Sequence, residues 1–303
     1  NSQYQILKKQ LSMDEKKAFE DYESPAEDSE LSDAQKAERA NIKGVWFEED
    51  YRRVYPLNST ASHLVGFTYT GNSADWGIEG YYSSTLNGVN GRQFGYYNSD
   101  ADVEQNIIDP INGNSVESTI DLNIQQVVEK YISNFMDGMA NGPRGAEGAA
   151  NVGVIVANPK NGEILAMATD NPYDLNNPRD LTSYYSQDEI NGMDNGTMLK
   201  NLYGIWKNYC ISDAFEPGST VKPLTIGAAL DADVVQPSDT FVCDGYQMFG
   251  GTRIRCSIYP GAHGTETLSD LIKHSCNDGL MQIGALLGPE EFLKYQKIFN
   301  FGA

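Results

Sequence analysis

The sequence predicts an α+β fold in two domains, and three observations predict it. Two β-rich runs, at 152–157 and 164–169, are joined by Asn158-Pro-Lys-Asn-Gly162, which reads as an antiparallel hairpin. Apolar residues at helical spacing lie on both sides of that hairpin, from Val127 to Met139 and from Leu268 to Leu287. The 303 residues suffice for about two domains, each with its own core. The polar turn cluster Asn112-Gly113-Asn114 marks a boundary, so residues 1–116 and 117–303 are expected to be separate domains.

The first half mixes helix and short-strand signals and shows no nucleophile paired with a base, so a support or interaction role is expected. Asp14–Asp33 is rich in Glu, Asp, Ser and Lys, which predicts a solvated helix or a mobile segment. Arg53-Val-Tyr-Pro56 precedes Ala61-Ser-His63-Leu-Val-Gly66, a short apolar turn ended by glycine. Glu79 follows in the glycine-dense stretch from Gly77 to Gly91. A salt bridge or cap is its expected role, because no second carboxylate nearby in sequence divides acid and base work with it.

In the second half, Ser118–Ile120 suggests the end of a strand, and Asp121 stands where a helix N-cap belongs. Val127, Val128, Tyr131, Ile132, Phe135, Met136 and Met139 then recur at helical spacing and are expected to pack on a neighbour. Residues 137–151 read as a loop, and the polar region up to Asp213 as irregular or helical insertion. A helix is expected from Ser219, with Pro223 tolerated in its first turn and residues 224–230 buried. Thr267 and Asp270 form a capping pair ahead of Leu268, Leu271 and Ile272. A further helix carries Leu280, Ile283, Leu286 and Leu287, capped by Asn277 or Asp278, and Gly288-Pro289-Glu-Glu opens another.

The net charge of −20, from 42 acidic against 22 basic residues, argues against a nucleic-acid partner. No apolar run reaches the roughly 18–20 residues of a membrane span. The chain starts at Asn1 without Met and stops after an apolar helical pattern, so it is expected to be a fragment, with any membrane anchor before Asn1. Cys210, Cys243, Cys256 and Cys276 contain no Cys-x-x-Cys pair, and His63, His263 and His274 add no ligand spacing. No metal site and no cofactor are therefore expected. Cys243 and Cys256 flank a Gly-rich hairpin signal, which leaves free thiols and a disulfide equally open. A disulfide would imply an oxidising compartment.

Chemistry enters at Glu216-Pro-Gly-Ser219-Thr-Val-Lys222-Pro223. A spacing of three puts the Lys222 amine and the Ser219 hydroxyl on one helix face, where an amine can activate a nucleophile. About one Ser-x-x-Lys is expected by chance in a chain of this composition, and one is present, so the flanks must decide. Downstream, Ser275-Cys-Asn277 sits at a break between two helices and offers a hydroxyl and an amide to a cleft.

Ser-x-x-Lys with a Ser-x-Asn triplet belongs to the signature set of penicillin-binding proteins and class A β-lactamases. On Phe215-Glu-Pro-Gly-Ser-Thr-Val-Lys-Pro223, His274-Ser-Cys-Asn277, Ser118-Thr-Ile-Asp-Leu-Asn-Ile-Gln-Gln126 and Asn158-Pro-Lys-Asn-Gly-Glu-Ile-Leu-Ala-Met167, the chain resembles a class B penicillin-binding protein. Arg53-Val-Tyr-Pro56, His63-Leu-Val-Gly66 and Gly77-Ile-Glu-Gly-Tyr-Tyr resemble that class's non-catalytic pedestal, often called its dimerisation domain. The resemblance implies a pedestal at 1–116 and, at 117–303, part of a penicillin-binding/serine β-lactamase-like transpeptidase domain. It implies a D,D-transpeptidase cross-linking peptidoglycan stem peptides, with Ser219 attacking the D-Ala-D-Ala carbonyl and β-lactams acylating the same serine. In matching positions Lys222 would be the base, Ser275 a proton relay to the leaving amine, and Asn277 a holder of the lysine or the substrate amide. Implied partners are stem peptides, β-lactams, a membrane glycosyltransferase and other cell-wall assembly proteins. The implied place is the extracytoplasmic face of a bacterial cell membrane.

Two departures stand beside this. Cys276 occupies the middle of Ser-x-Asn and is expected to be a buried, non-catalytic thiol. No Lys-Thr-Gly or Lys-Ser-Gly occurs in the 303 residues, although in the family that strand borders the cleft and helps build the oxyanion hole. Activity of these residues by themselves therefore stays open. The alternatives in the same superfamily are a β-lactamase or D,D-carboxypeptidase type of hydrolase, against which the pedestal-like first half argues, and a non-catalytic β-lactam sensor.

Overall fold

The structure, a computed structural model, describes residues 5–9, 11–23, 32–48, 51–69, 73–97, 103–140 and 149–302. In chain order the elements are α1 (Met13–Glu23), α2 (Asp33–Ala40), α3 (Ser62–Val65), α4 (Gly77–Tyr81), α5 (Ser83–Leu86), β1 (Arg92–Tyr97), β2 (Val103–Ile108), α6 (Leu122–Ala140), β3 (Gly153–Ala157), β4 (Ile164–Thr169), α7 (Gln187–Gly192), α8 (Asn195–Trp206), α9 (Tyr209–Ser212), α10 (Lys222–Asp231), β5 (Thr240–Cys243), β6 (Tyr246–Phe249), β7 (Thr252–Arg255), β8 (Gly264–Thr267), α11 (Leu268–Lys273) and α12 (Asn277–Ile298). The strands pair antiparallel as β1–β2, β3–β4, β5–β8 and β6–β7, an α+β architecture. By packing, the chain divides into residues 1–213 and 214–303.

In the first unit, the β3–β4 hairpin closes as its turn residues predict. The Gly162 N–H donates to the Asn158 carbonyl at 2.8 Å, with Gly162 at φ +78°, a conformation that favours glycine. The open edge of β4 is covered by irregular chain and the start of α6, where the sequence suggests a strand end. Thr119 Oγ1 donates to the Ile164 carbonyl at 2.7 Å, and the Asp121 N–H to the Leu165 carbonyl at 2.9 Å. Gln125, fully buried, then acts as a substitute strand: its Nε2 donates to the Met167 carbonyl at 3.0 Å and its Oε1 accepts the Met167 N–H at 2.8 Å. Asp121 caps α6, accepting from the Asn123 and Ile124 N–H groups. Of the seven apolar residues expected to pack from this helix, only Ile132 is buried, while Val127, Tyr131, Phe135 and Met139 are exposed. Residues 137–140 continue α6 where a loop is expected. Residues 141–148 of that loop, and 24–31 of the acidic stretch, lie outside the described residues.

The core of this unit is aromatic. Tyr55, Phe67, Tyr173, Leu175, Leu181, Leu202, Ile205 and Trp206 cluster, with the Phe67 and Trp206 rings 4.8 Å apart. His63 is buried beside them, with Nε2 2.8 Å from the Ile205 carbonyl and Nδ1 3.0 Å from Thr169 Oγ1; burial lowers its pKa. Asn176 accepts the Tyr55 N–H at 2.9 Å and donates to the Tyr55 carbonyl at 2.8 Å. Such bonds knit residues 51–69 to residues 164–206. Glu79 is buried and held by Arg53, Nε to Oε1 at 2.9 Å and a second nitrogen to Oε2 at 3.3 Å.

The second unit packs α10, α11 and α12 around Ile226, Ala229, Phe241, Leu268, Leu271, Leu280 and Ile283. Thr267 and Asp270 form a capping box on α11. Gly250 and Gly251, at φ +52° and +81°, make the two-residue turn between β6 and β7. Gly288, at φ +75°, breaks α12 just before Pro289, where a new helix is expected to open. Ile272 and Leu286 point outward, so the expected apolar faces of these helices are narrower than their periodicity implies.

Replacing Gln125 with Leu should lower the unfolding free energy by about 2–4 kcal/mol, since it leaves the Met167 N–H and C=O without partners beneath a buried side chain. Denaturant unfolding measures this, and an unchanged midpoint would contradict the edge-covering role.

Candidate active site

The geometry of the site begins with the end of α11. His274 is its C-cap, and the next residue, Ser275, is left-handed at φ +51°. The Ser275 N–H donates to the Ile272 carbonyl at 3.0 Å and the Cys276 N–H to the Leu271 carbonyl at 2.9 Å. This is a Schellman turn, with serine where glycine usually stands. A side chain there costs roughly 1 kcal/mol in backbone strain. Cys276 then caps α12, its sulfur accepting the Gly279 N–H at 3.4 Å, in place of the expected Asn277 or Asp278. Ser275 and Asn277 thus project from a turn fixed on both sides by helices.

Opposite them, Gly218 at φ +60° opens a single 3-10 turn at Gly218–Val221, and α10 starts at Lys222 with Pro223 in its first turn. The expected helix therefore begins three residues after Ser219. Ser219 is exposed, and Lys222 is partly buried.

Lys222 Nζ donates to the Ser275 carbonyl at 2.6 Å, Ser275 Oγ at 3.0 Å and Asn277 Oδ1 at 2.6 Å. Ser275 Oγ donates to Ser219 Oγ at 2.9 Å. Among the hydrogen bonds of the described residues none joins Lys222 directly to Ser219, the contact that helical spacing suggests. The Ser275 hydroxyl stands between them. Three acceptors match the three donors of an ammonium, so the arrangement accommodates the charged form of the lysine. Burial opposes the charge and lowers the Lys222 pKa, while the nearby Cys256 and Cys276 act the other way. Asn277 is itself held, its Nδ2 donating to the Arg255 carbonyl at 3.0 Å.

Behind this row lies machinery that motif reading misses. Asp278, buried, accepts the Asp244 N–H at 2.7 Å and the Gln247 side-chain amide at 2.6 Å, fastening the start of α12 to the β5–β6 segment, and it also accepts the Gln282 side-chain amide of its own helix at 2.8 Å. All four cysteines are free, including Cys243 and Cys256, whose pairing the sequence leaves open. Cys243, Cys256 and Cys276 are buried and face His263, with their ligand atoms all within 4.8 Å of one another. Spacing rules see nothing here because each residue comes from a different element. Burial would push the Cys256 thiol up, but hydrogen bonding from the backbone around Asn277, Asp278 and Ile258 outweighs it and lowers its pKa.

Comparison with known proteins agrees with fold and motifs. The penicillin binding protein transpeptidase domain matches residues 152–303. Stage V sporulation protein D of Bacillus subtilis is 32% identical over 279 residues, covering 89% of this chain and 38% of the relative. The peptidoglycan D,D-transpeptidase FtsI of Buchnera aphidicola is 28% identical, covering 86% of this chain and 41% of its own length. A solved complex between penicillin-binding protein 2 and MreC from Helicobacter pylori superposes with a TM-score of 0.63 at 20% identity, over 83% of this chain and 46% of that one. Fold and motifs together define a penicillin-binding protein. The chain belongs to the penicillin-binding protein transpeptidase family, on its class B branch. It spans about two fifths of the length of the relatives it matches.

Glycine at position 275 relieves the left-handed strain but removes the hydroxyl that links Ser219 to Lys222. Ser275→Gly should therefore hold or raise the thermal midpoint, by up to about 1 kcal/mol of stability, as differential scanning calorimetry would read. A fall of several degrees would show that the hydroxyl stabilises the fold.

Proposed function

We propose that this chain carries the acyl-transfer centre of a peptidoglycan D,D-transpeptidase, with Ser219 as nucleophile, Lys222 as base, Ser275 as relay and Asn277 as the holder of the lysine. The observation that carries the reading is the unbroken chain Ser219 Oγ–Ser275 Oγ–Lys222 Nζ, at 2.9 and 3.0 Å. Hydroxyl protons rotate, so the chain can run either way. With Lys222 neutral, Ser219 gives its proton to Ser275 while Ser275 gives its own to Lys222, and Ser219 Oγ bonds the D-Ala-D-Ala carbonyl carbon. The C–N bond breaks, and the departing D-Ala amine takes a proton back along the same chain. The amine of a second stem peptide then attacks the ester, and Ser219 recovers its proton as the cross-link forms. A β-lactam enters at the first step, its ring amide opening onto Ser219.

Residues 1–116 serve in this reading as the non-catalytic pedestal and 117–303 as the transpeptidase domain. The partners are stem peptides, β-lactams, a membrane glycosyltransferase and cell-wall assembly proteins of the kind represented by MreC in the Helicobacter complex. Among the described residues no helix is long and apolar enough to cross a membrane. The proposed setting is the extracytoplasmic face of the bacterial cell membrane, where the substrate is.

Fluorescent penicillin should label the full-length protein, and Ser219→Ala should abolish labelling. Equal labelling of both would end the assignment of the nucleophile. Lys222→Ala should slow acylation about 10³-fold. Only neutral Lys222 accepts a proton, and burial lowers its pKa below the usual lysine value of 10.5, so the acylation rate should rise with pH and level off before that value. Stopped-flow acylation between pH 6 and 10 measures the profile; a rate that falls over this range would contradict it.

A further inference from the structure

We propose that Cys243, Cys256, Cys276 and His263 bind one zinc-class divalent cation, and that this ion fixes the turn carrying Ser275 and Asn277. The spacings fit such an ion. A tetrahedral centre with Zn–S of about 2.3 Å and Zn–N of about 2.0 Å sets sulfur–sulfur edges near 3.8 Å and sulfur–nitrogen edges near 3.5 Å. Cys256 and Cys276 Sγ are 3.8 Å apart, His263 Nδ1 is 3.5 Å from Cys243 Sγ, and it is 3.7 Å from Cys256 Sγ. Three sulfurs and an imidazole select zinc or a similarly soft ion over magnesium or calcium.

The surroundings suit a structural metal. Cys243 ends β5, Cys256 follows β7, His263 precedes β8 and Cys276 joins α11 to α12, so one ion would tie together four parts of the second unit. The three thiols are 0–4% exposed, which shields them from solvent. The Cys276 sulfur is already an acceptor, taking the Gly279 N–H at 3.4 Å. Glu266 is an independent sign. It is 2% exposed; Oε1 is 2.7 Å from His274 Nδ1, while Oε2 lies 3.5 Å from His263 Nδ1 and has no hydrogen-bond partner. A buried carboxylate with an orphaned oxygen beside three thiols needs positive charge. Four protein ligands leave no open position, so the ion is structural and takes no part in bond making.

Cys276 stands between Ser275 and Asn277, the two residues that bind Lys222. Loss of the ion would free the turn where the relay is built. The metal site goes beyond the proposed acyl transfer and is tested without it. Full-length protein purified without chelators or immobilised-metal resin, from zinc-supplemented medium, should hold about one zinc per chain by plasma mass spectrometry. Cys256→Ser and His263→Ala should bring that near zero, and Cys210→Ser, in the other unit, should not change it. Cobalt titrated into chelator-treated wild-type protein should give thiolate-to-cobalt charge transfer and intense tetrahedral bands, a readout that needs no variant to fold. Chelation should speed amide exchange at residues 275–279 at least tenfold. Absence of both zinc and the cobalt spectrum, or a Cys256–Cys276 disulfide in the unreduced peptide map, would overturn the site. Metal loss without faster exchange would overturn its hold on the turn.

Discussion

Everything at this site depends on a serine held in a backbone conformation that suits glycine. Ser275 occupies the left-handed position of the Schellman turn, and there its Oγ and carbonyl both reach Lys222 while Oγ also reaches Ser219. Strain of this kind persists where the surroundings over-determine it. Here α11 ends on one side, α12 begins on the other, and Asp278 pins the start of α12 to the β5–β6 segment through two hydrogen bonds.

The interposed hydroxyl changes how the Ser-x-x-Lys motif is understood. Sequence spacing suggests a base touching its nucleophile, yet Lys222 spends its three protons on Ser275 and Asn277. In the proposed acyl transfer, a lysine so engaged is a reservoir at the end of a proton wire, and the middle hydroxyl sets direction by rotating. The arrangement also explains why the second motif matters as much as the first. Ser275 and Asn277 hold the Lys222 amine in place, and the 3-10 turn at Gly218–Val221 brings Ser219 to the Ser275 hydroxyl.

What the sequence reveals is what neighbours in the chain decide. The hairpin through Asn158–Gly162, the Thr267–Asp270 box and the break at Gly288-Pro289 all rest on local backbone chemistry, and all stand in the structure. The motif residues are legible because their types are restricted. Features built from distant segments are not. Gln125 completing a sheet edge is invisible in a helical pattern, and so is the joining of residues 51–69 to the aromatic core of residues 164–206. The thiol cluster escapes for the same reason: its ligands share no short spacing, and only the packing of four elements brings them together. The exposed face of α6 shows the converse, a periodic apolar pattern with no partner among the described residues.

The central claim is that two protons move when Ser219 becomes a nucleophile, one from Ser219 to Ser275 and one from Ser275 to Lys222. A proton inventory of β-lactam acylation by the full-length protein, with rates measured across mixtures of light and heavy water, addresses it directly. The account predicts a curved plot, the mark of two protons in flight. A straight line would mean a single transfer, with Lys222 taking the proton from Ser219 unaided, and would contradict it.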